Sequence, residues 1–203
     1  MRITKLAFCY FLLQLPLASM ADAGWEPLFN ENNFDGWHIR PGGSWTITDG
    51  VIHGISPVTE ERHGLLVSDK HYENFEVTLQ FRVHSGDSGF YFRIEENDSI
   101  VSCAGFQVEV DSSLETGGLY ETLGRAWVVK PDEEEHRGDY VPGEWTDLHL
   151  TANAGNVVVK LNGVTTATLI DDPSRRKGPF ALQLHGSMEM DVEFRDIMVL
   201  ELD

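Results

Sequence analysis

Between Phe75 and Val83 apolar and polar residues alternate without a break. Phe75, Val77, Leu79, Phe81 and Val83 share one face, and Glu76, Thr78, Gln80 and Arg82 share the other. A period of two is the signature of a β-strand with one buried and one wet face, and no helix gathers those side chains on one side. The pattern returns downstream. Phe90, Phe92 and Ile94 oppose Tyr91 and Arg93, and Phe106, Val108 and Val110 oppose Gln107, Glu109 and Asp111.

Trp45–Ile55 reads as a hairpin around Asp49-Gly50, a dipeptide suited to the positive φ of a tight turn. Gly86-Asp87-Ser88-Gly89 reads as a turn. Thr146–Thr151, Val157–Leu161, Phe180–His185 and Val192–Leu202 supply four more strands, punctuated by Gly155-Asn156, Asn162-Gly163 and Gly186-Ser187. No long segment has helical period. With 203 residues, 41% of them hydrophobic, the chain suits one domain with a substantial core. Many antiparallel strands, each with one apolar face, predict an all-β antiparallel sandwich of two sheets, a jelly roll.

Arg2 and Lys5 precede an apolar run from Leu6 to Leu17, and small residues follow at Ser19, Ala21 and Ala23. That is the pattern of a secretory signal over 1–23, with cleavage after Ala21 or Ala23. The run is well short of the roughly 20 residues of a spanning helix, so export to the periplasm or medium, with no membrane span in the mature form, is the expectation. Removing the signal takes away Cys9 and leaves Cys103 alone, so the mature domain at 24–203 has no internal disulfide; Cys103 reads as a small buried residue. Fifteen Lys and Arg against 33 Asp and Glu give a formal charge of −18, which repels nucleic acid.

Tyr91 and Arg93, Gln107, Glu109 and Asp111, and Gln183 and His185 form dense polar faces on three strands. Side by side in a concave sheet they would bring acid, base, cation and aromatic plate together, as carbohydrate chemistry requires; otherwise they form a solvated face with Arg93 pairing Glu109. Glu109 and Asp111 share one strand face and cannot flank a glycosidic bond from two sides. No Gly-x-Ser-x-Gly elbow, phosphate-cradling loop or His-Glu-x-x-His pair occurs. His63 and His71, with Asp69 and Glu73, read as surface residues of a loop rather than a metal site. Asp171-Asp172 is an equally weak calcium candidate, and Lys130–Pro142, with its acidic run Asp132–Glu135, reads as a polar loop.

Ordered blocks across nearly the whole mature chain carry a family resemblance. They are Gly24-Trp25-Glu26-Pro27-Leu28-Phe29-Asn30, Phe34-Asp35-Gly36-Trp37, Trp45–Ile52, Tyr72–Val77, Asp87–Arg93, Gly105–Asp111, Thr116–Tyr120, Gly143-Glu144-Trp145, Leu161-Asn162-Gly163, Gly178–His185 and Val192–Ile197. Together they resemble the 3-keto-disaccharide hydrolase domain, long a domain of unknown function. Asp87 stands where that family often has Asn, Asp196 where Asn is common, and Gly186–Asp191 is a longer insert. The resemblance implies a concanavalin A-like, laminin-G-like jelly roll, usually exported, and cleavage of an oligosaccharide or other glycoside already oxidised at C3.

A C3 ketone acidifies the C2 proton, so a base can remove it, the C1 substituent leaves by elimination, and water adds. On that chemistry Glu109 or His185 is the base, Arg93 the cation facing the enolate and Asp111 the acid for the leaving group. Tyr91, Tyr120 and Trp127 are candidates to stack on sugar, with Gln107 and Gln183 as further binding groups. A divalent ion polarising the ketone would take Glu109, Asp111 and His185. The rivals are a lectin-like carbohydrate-binding module using the same face without turnover, and a structural interaction domain, which would need an exposed apolar patch.

Overall fold

A computed structural model describes residues 24–132 and 140–203. The signal segment with Cys9, and all of the acidic run beyond Asp132, lie outside the described residues. The strands are β1 (Glu26–Pro27), β2 (Trp37–Arg40), β3 (Ser44–Thr48), β4 (Val51–Ser56), β5 (Gly64–Ser68), β6 (Phe75–Ser85), β7 (Asp87–Glu96), β8 (Cys103–Asp111), β9 (Leu119–Thr122), β10 (Ala126–Val129), β11 (Thr146–Asn153), β12 (Asn156–Leu161), β13 (Val164–Leu169), β14 (Ala181–Leu184) and β15 (Met190–Glu201). They form two antiparallel sheets. One runs β13-β12-β11-β6-β15-β4-β3 with β1 on β15, and the other runs β10-β9-β8-β7-β14-β5-β2.

Phe75, Val77, Leu79, Phe81 and Val83 all point inward from β6, as their alternation predicts, and meet Phe90, Phe92, Val108, Val110, Leu182 and Leu184 from the other sheet. Asp49 and Gly50 both take positive φ, 52° and 78°, at the expected hairpin. The expected turn at Gly86–Gly89 is shorter. Gly86 alone, at φ 91°, carries the chain from one sheet to the other, and Asp87 already pairs with Asp111. A Cβ on Gly86 would lie 2.4 Å from the Met190 sulfur, so the corner needs glycine twice over.

Two segments depart from the sequence reading. Gly64–Ser68, placed in a loop by its flanking histidines, is β5, buried along its whole length between β14 and β2. Its run of apolar residues is that of a strand covered on both faces. In β7 the alternation breaks after Phe92, because Arg93 and Ile94 stand opposite Gly105 alone between the Phe92–Phe106 and Glu95–Ala104 pairs. This bulge puts Arg93 at φ 52° and turns Ile94 to the side of Tyr91.

Leu65, Val67, Tyr91, Ile94, Cys103 and Ala181 form a small second cluster. Cys103 is buried within it as a free thiol, and burial pushes its pKa up to about 12. It behaves as the expected packing residue.

Candidate functional site

Tyr120 pairs with Trp127 and with Gln107, and Gln107 pairs with Tyr91, so one line of cross-strand neighbours runs from β10 to β7. Above this line lies a cavity of about 380 Å³, lined by polar side chains from β7, β8 and β14 and by residues of the loops around them. The strand period places Tyr91, Gln107 and Glu109 under one opening because each points away from the Phe90, Phe106 and Val108 core.

Two carboxyls meet at the floor. Asp87 and Glu109 lie close enough for each to affect the other's ionisation, and Gln107 Nε2 donates to Glu109 Oε1 at 2.5 Å. Burial, then the neighbouring charge of Asp87, drives the Glu109 pKa well above the carboxylate range. Burial also pushes Asp87 up, to about 6, while His185 nearby pulls the other way. Burial and mutual repulsion both favour one shared proton over two buried charges, and that proton gives the pair a donor two carboxylates would lack. Gly89, opposite Glu109, makes room for this arrangement: a Cβ there would lie 2.6 Å from Gln107 Oε1.

Two imidazoles face the carboxyls. His185 Nδ1–H donates to the Gly186 carbonyl at 2.7 Å, which leaves a lone pair on Nε2. The rings of His63 and His185 lie 4.1 Å apart. Gln183 Nε2 donates to His63 Nδ1 at 3.0 Å and to the Tyr91 hydroxyl at 3.1 Å, so His63 carries its proton on Nε2. Burial, and secondarily the neighbouring His185, lower the His63 pKa to about 4, keeping that ring neutral. The backbone holds His63 in place, its amide bonded to the Ile100 carbonyl and its carbonyl to Ser102 Oγ, both at 2.9 Å.

The structure gathers Tyr91, Gln107, Glu109, Tyr120, Trp127, Gln183 and His185 at the cavity and leaves Arg93 and Asp111 out of its lining. Within the bulge, Arg93 gives Nε and Nη2 to the Glu73 carbonyl and Nη1 to the Ala154 carbonyl, 2.8 Å away, with its guanidinium over the Phe75 ring. It neither faces an enolate nor pairs with Glu109; it ties two loops to the sandwich. The Asp111 carboxylate accepts from the Ser113 amide at 2.7 Å and from Thr116 Oγ1 at 2.6 Å, so it builds the turn after β8 instead of serving a leaving group. Tyr91 is fully buried, its hydroxyl 2.8 Å from Thr122 Oγ1, and forms the floor beneath the opening instead of a stacking plate.

Sequence reasoning missed Asp87 and His63. Asp87 sat in an expected turn, and His63 was assigned to the surface; the one signal for His63 was its place at the mouth of an apolar run. His71 is exposed and apart from the cavity lining. The Asp172 carboxylate is taken by Arg125 at 2.6 and 3.2 Å, which removes it as a calcium ligand. With Asp111 turned away, the metal set of Glu109, Asp111 and His185 does not come together. Among the described residues no three His, Cys, Asp or Glu side chains converge to hold an ion.

Two antiparallel sheets with a polar cavity on the face away from the core define a jelly-roll sandwich. A candidate glycosyl hydrolase of Parabacteroides distasonis shares this fold at 22% identity, over 93% of this chain and 98% of that one, with a TM-score of 0.69. The carbohydrate-binding module CBM66 of Bacillus subtilis aligns at 15% identity over 82% and 96%, TM-score 0.61. A Bacillus subtilis protein of unknown function with a galectin-like fold aligns at 14% over 87% and 94%, TM-score 0.64. No curated protein matches the sequence. Residues 24–200 match the 3-keto-alpha-glucoside-1,2-lyase-like domain, and the chain belongs to that family. The family is carbohydrate-related, and no helix among the described residues is long and apolar enough to cross a membrane.

Proposed function

We propose that the cavity cleaves 3-keto glycosides by elimination and hydration. The observation that carries this reading is the buried pair Asp87 and Glu109 in one cavity with an imidazole whose Nε2 keeps its lone pair. Carboxyls this close cannot straddle a glycosidic bond, for which separations of about 5 Å or more are needed. They can donate a proton and steady a cation.

His185 Nε2 removes the C2 proton, and the Asp87 carboxylate stabilises the imidazolium that forms. The electron pair passes into the C3 ketone as an enolate, and the neutral His63 Nε2–H is the donor assigned to that oxygen. The enolate then collapses, breaking the bond between C1 and the leaving oxygen, which takes the Glu109 proton. Water adds its oxygen to C1 and returns a proton to Glu109. The imidazolium exchanges its proton with water and then protonates C2, giving the free 3-keto sugar. Gln107 holds Glu109 in place and Gln183 fixes the His63 tautomer. The pattern at 1–23 supports export, which would place this chemistry outside the cytoplasm.

Purified protein offered a 3-keto-α-glucoside and its unoxidised parent is expected to cleave only the former. Equal cleavage of both would return the site to ordinary glycosidase chemistry, and saturable binding with no turnover of either would make it a lectin-like module.

The pH profile of kcat is a further test. Turnover is fastest with Asp87 ionised and Glu109 protonated, so it should rise through about pH 6 and fall on the alkaline side. The Asp87 charge helps raise the Glu109 pKa, so Asp87→Asn should move the alkaline limb to lower pH. An unmoved limb would break the assignment of that proton to Glu109.

A further inference from the structure

The cavity is lined differently on its two sides. The floor and one flank carry the carboxyl pair and the two imidazoles, whereas the other flank is the β9–β10 hairpin, which presents Tyr120, Leu123 and Trp127. Tyr120 and Trp127 are cross-strand partners packed edge to face, with centroids 5.6 Å apart and planes at 87°. Leu123 at the hairpin tip is 65% exposed and sits at φ 55°. An apolar side chain held outside the core on left-handed backbone contributes little to folding; its place is at the mouth of the cavity it lines.

This flank is braced. Arg125, in the turn of the hairpin, grips both oxygens of Asp172 and reaches Ser174 Oγ at 2.9 Å. Lys130 pairs with Glu115 at 2.5 Å and lies over the Trp127 ring, 5.5 Å from its centroid. The flank's polar groups are thus largely engaged: Glu115 by Lys130, and the Thr122 hydroxyl by Tyr91. Among the described residues of this flank, the side chains at the opening are thus mostly apolar, and a braced apolar wall stands beside the reacting centre.

Building on the reading of the cavity as a 3-keto-glycoside site, we propose that the β9–β10 hairpin is the leaving-group subsite and that it selects glycosides with a compact apolar aglycone, aryl or alkyl. Leu123 and Trp127 are the specificity-determining residues. A cavity of about 380 Å³ suits one sugar ring with such a group.

The test compares methyl and phenyl 3-keto-α-glucosides, with calorimetric binding of the unoxidised methyl and phenyl α-glucosides run in parallel. The phenyl substrate should have the higher kcat/KM by about tenfold or more, the scale that an apolar contact adds in a pocket. Trp127→Ala and Leu123→Ser should each lose several times more on the phenyl than on the methyl substrate; Leu123 is exposed, so its replacement leaves the fold intact. Equal rates for the two substrates, or equal losses on both, would overturn the inference. If neither keto substrate turns over, the proposed reaction fails and calorimetry decides: a phenyl preference erased by Leu123→Ser keeps the subsite, and no preference removes it.

Discussion

His185→Ala is expected to lower turnover of a 3-keto glycoside by about 10²- to 10⁴-fold, the range for loss of a positioned general base. The imidazole is half-buried at the end of β14, anchored by one bond to the neighbouring Gly186 carbonyl and by contact with His63, so its removal disturbs the fold little. The loss should fall on kcat, because the ring is assigned to proton removal and not to holding the sugar. A loss below tenfold, with the thermal midpoint unchanged, would pass the role of base to Asp87. The parallel replacement His63→Ala should also slow the reaction through the loss of a donor at the ketone.

Phe180→Ala is the substitution with the largest expected effect on stability, about 3–5 kcal/mol by urea unfolding. Phe180 is fully buried at the centre of the aromatic core. Tyr72 stacks on it at 4.4 Å, Phe75 meets its face at 4.7 Å and 86°, and Phe90 lies 5.4 Å away. Its amide and carbonyl are both bonded to Ser68, each at 2.9 Å, so the backbone cannot collapse into the space left by the ring. The partners come from both sheets, and truncation therefore opens a void where the two layers meet. A cost near 1 kcal/mol would mean that the layers pack elsewhere.

How much of this could be read from the sequence depends on how local each signal is. The β6 face, the Asp49-Gly50 hairpin and the polar residues above Phe106 and Val108 follow from period and turn chemistry alone, and all fall where the alternation puts them. Arg93 does not, because it sits in a bulge whose extra residue breaks the alternation and turns its side chain away from Tyr91's face. Gly105, isolated in a strand pattern, was the one hint of that bulge. Asp111 is the last residue of β8, and its carboxylate is consumed by Ser113 and Thr116 in the turn that follows. His63 meets Gln183 across 120 positions of sequence. Such a contact depends on β5 and β14 being neighbours, which no local pattern specifies. The family blocks identify the chain's relatives, but the donors and acceptors of the cavity are visible only in three dimensions.

The most direct test of the chemistry is the fate of hydrogen at C2. A 3-keto-α-glucoside carrying deuterium at C2 is incubated with the protein in ordinary water, and product and residual substrate are analysed by mass. Elimination through His185 must break the C2–D bond before the leaving group departs, so the product should have lost its label to solvent and the rate should show a primary isotope effect. Direct displacement at C1 never touches that bond. Full retention of deuterium in the product, with equal rates for labelled and unlabelled substrate, would contradict the account.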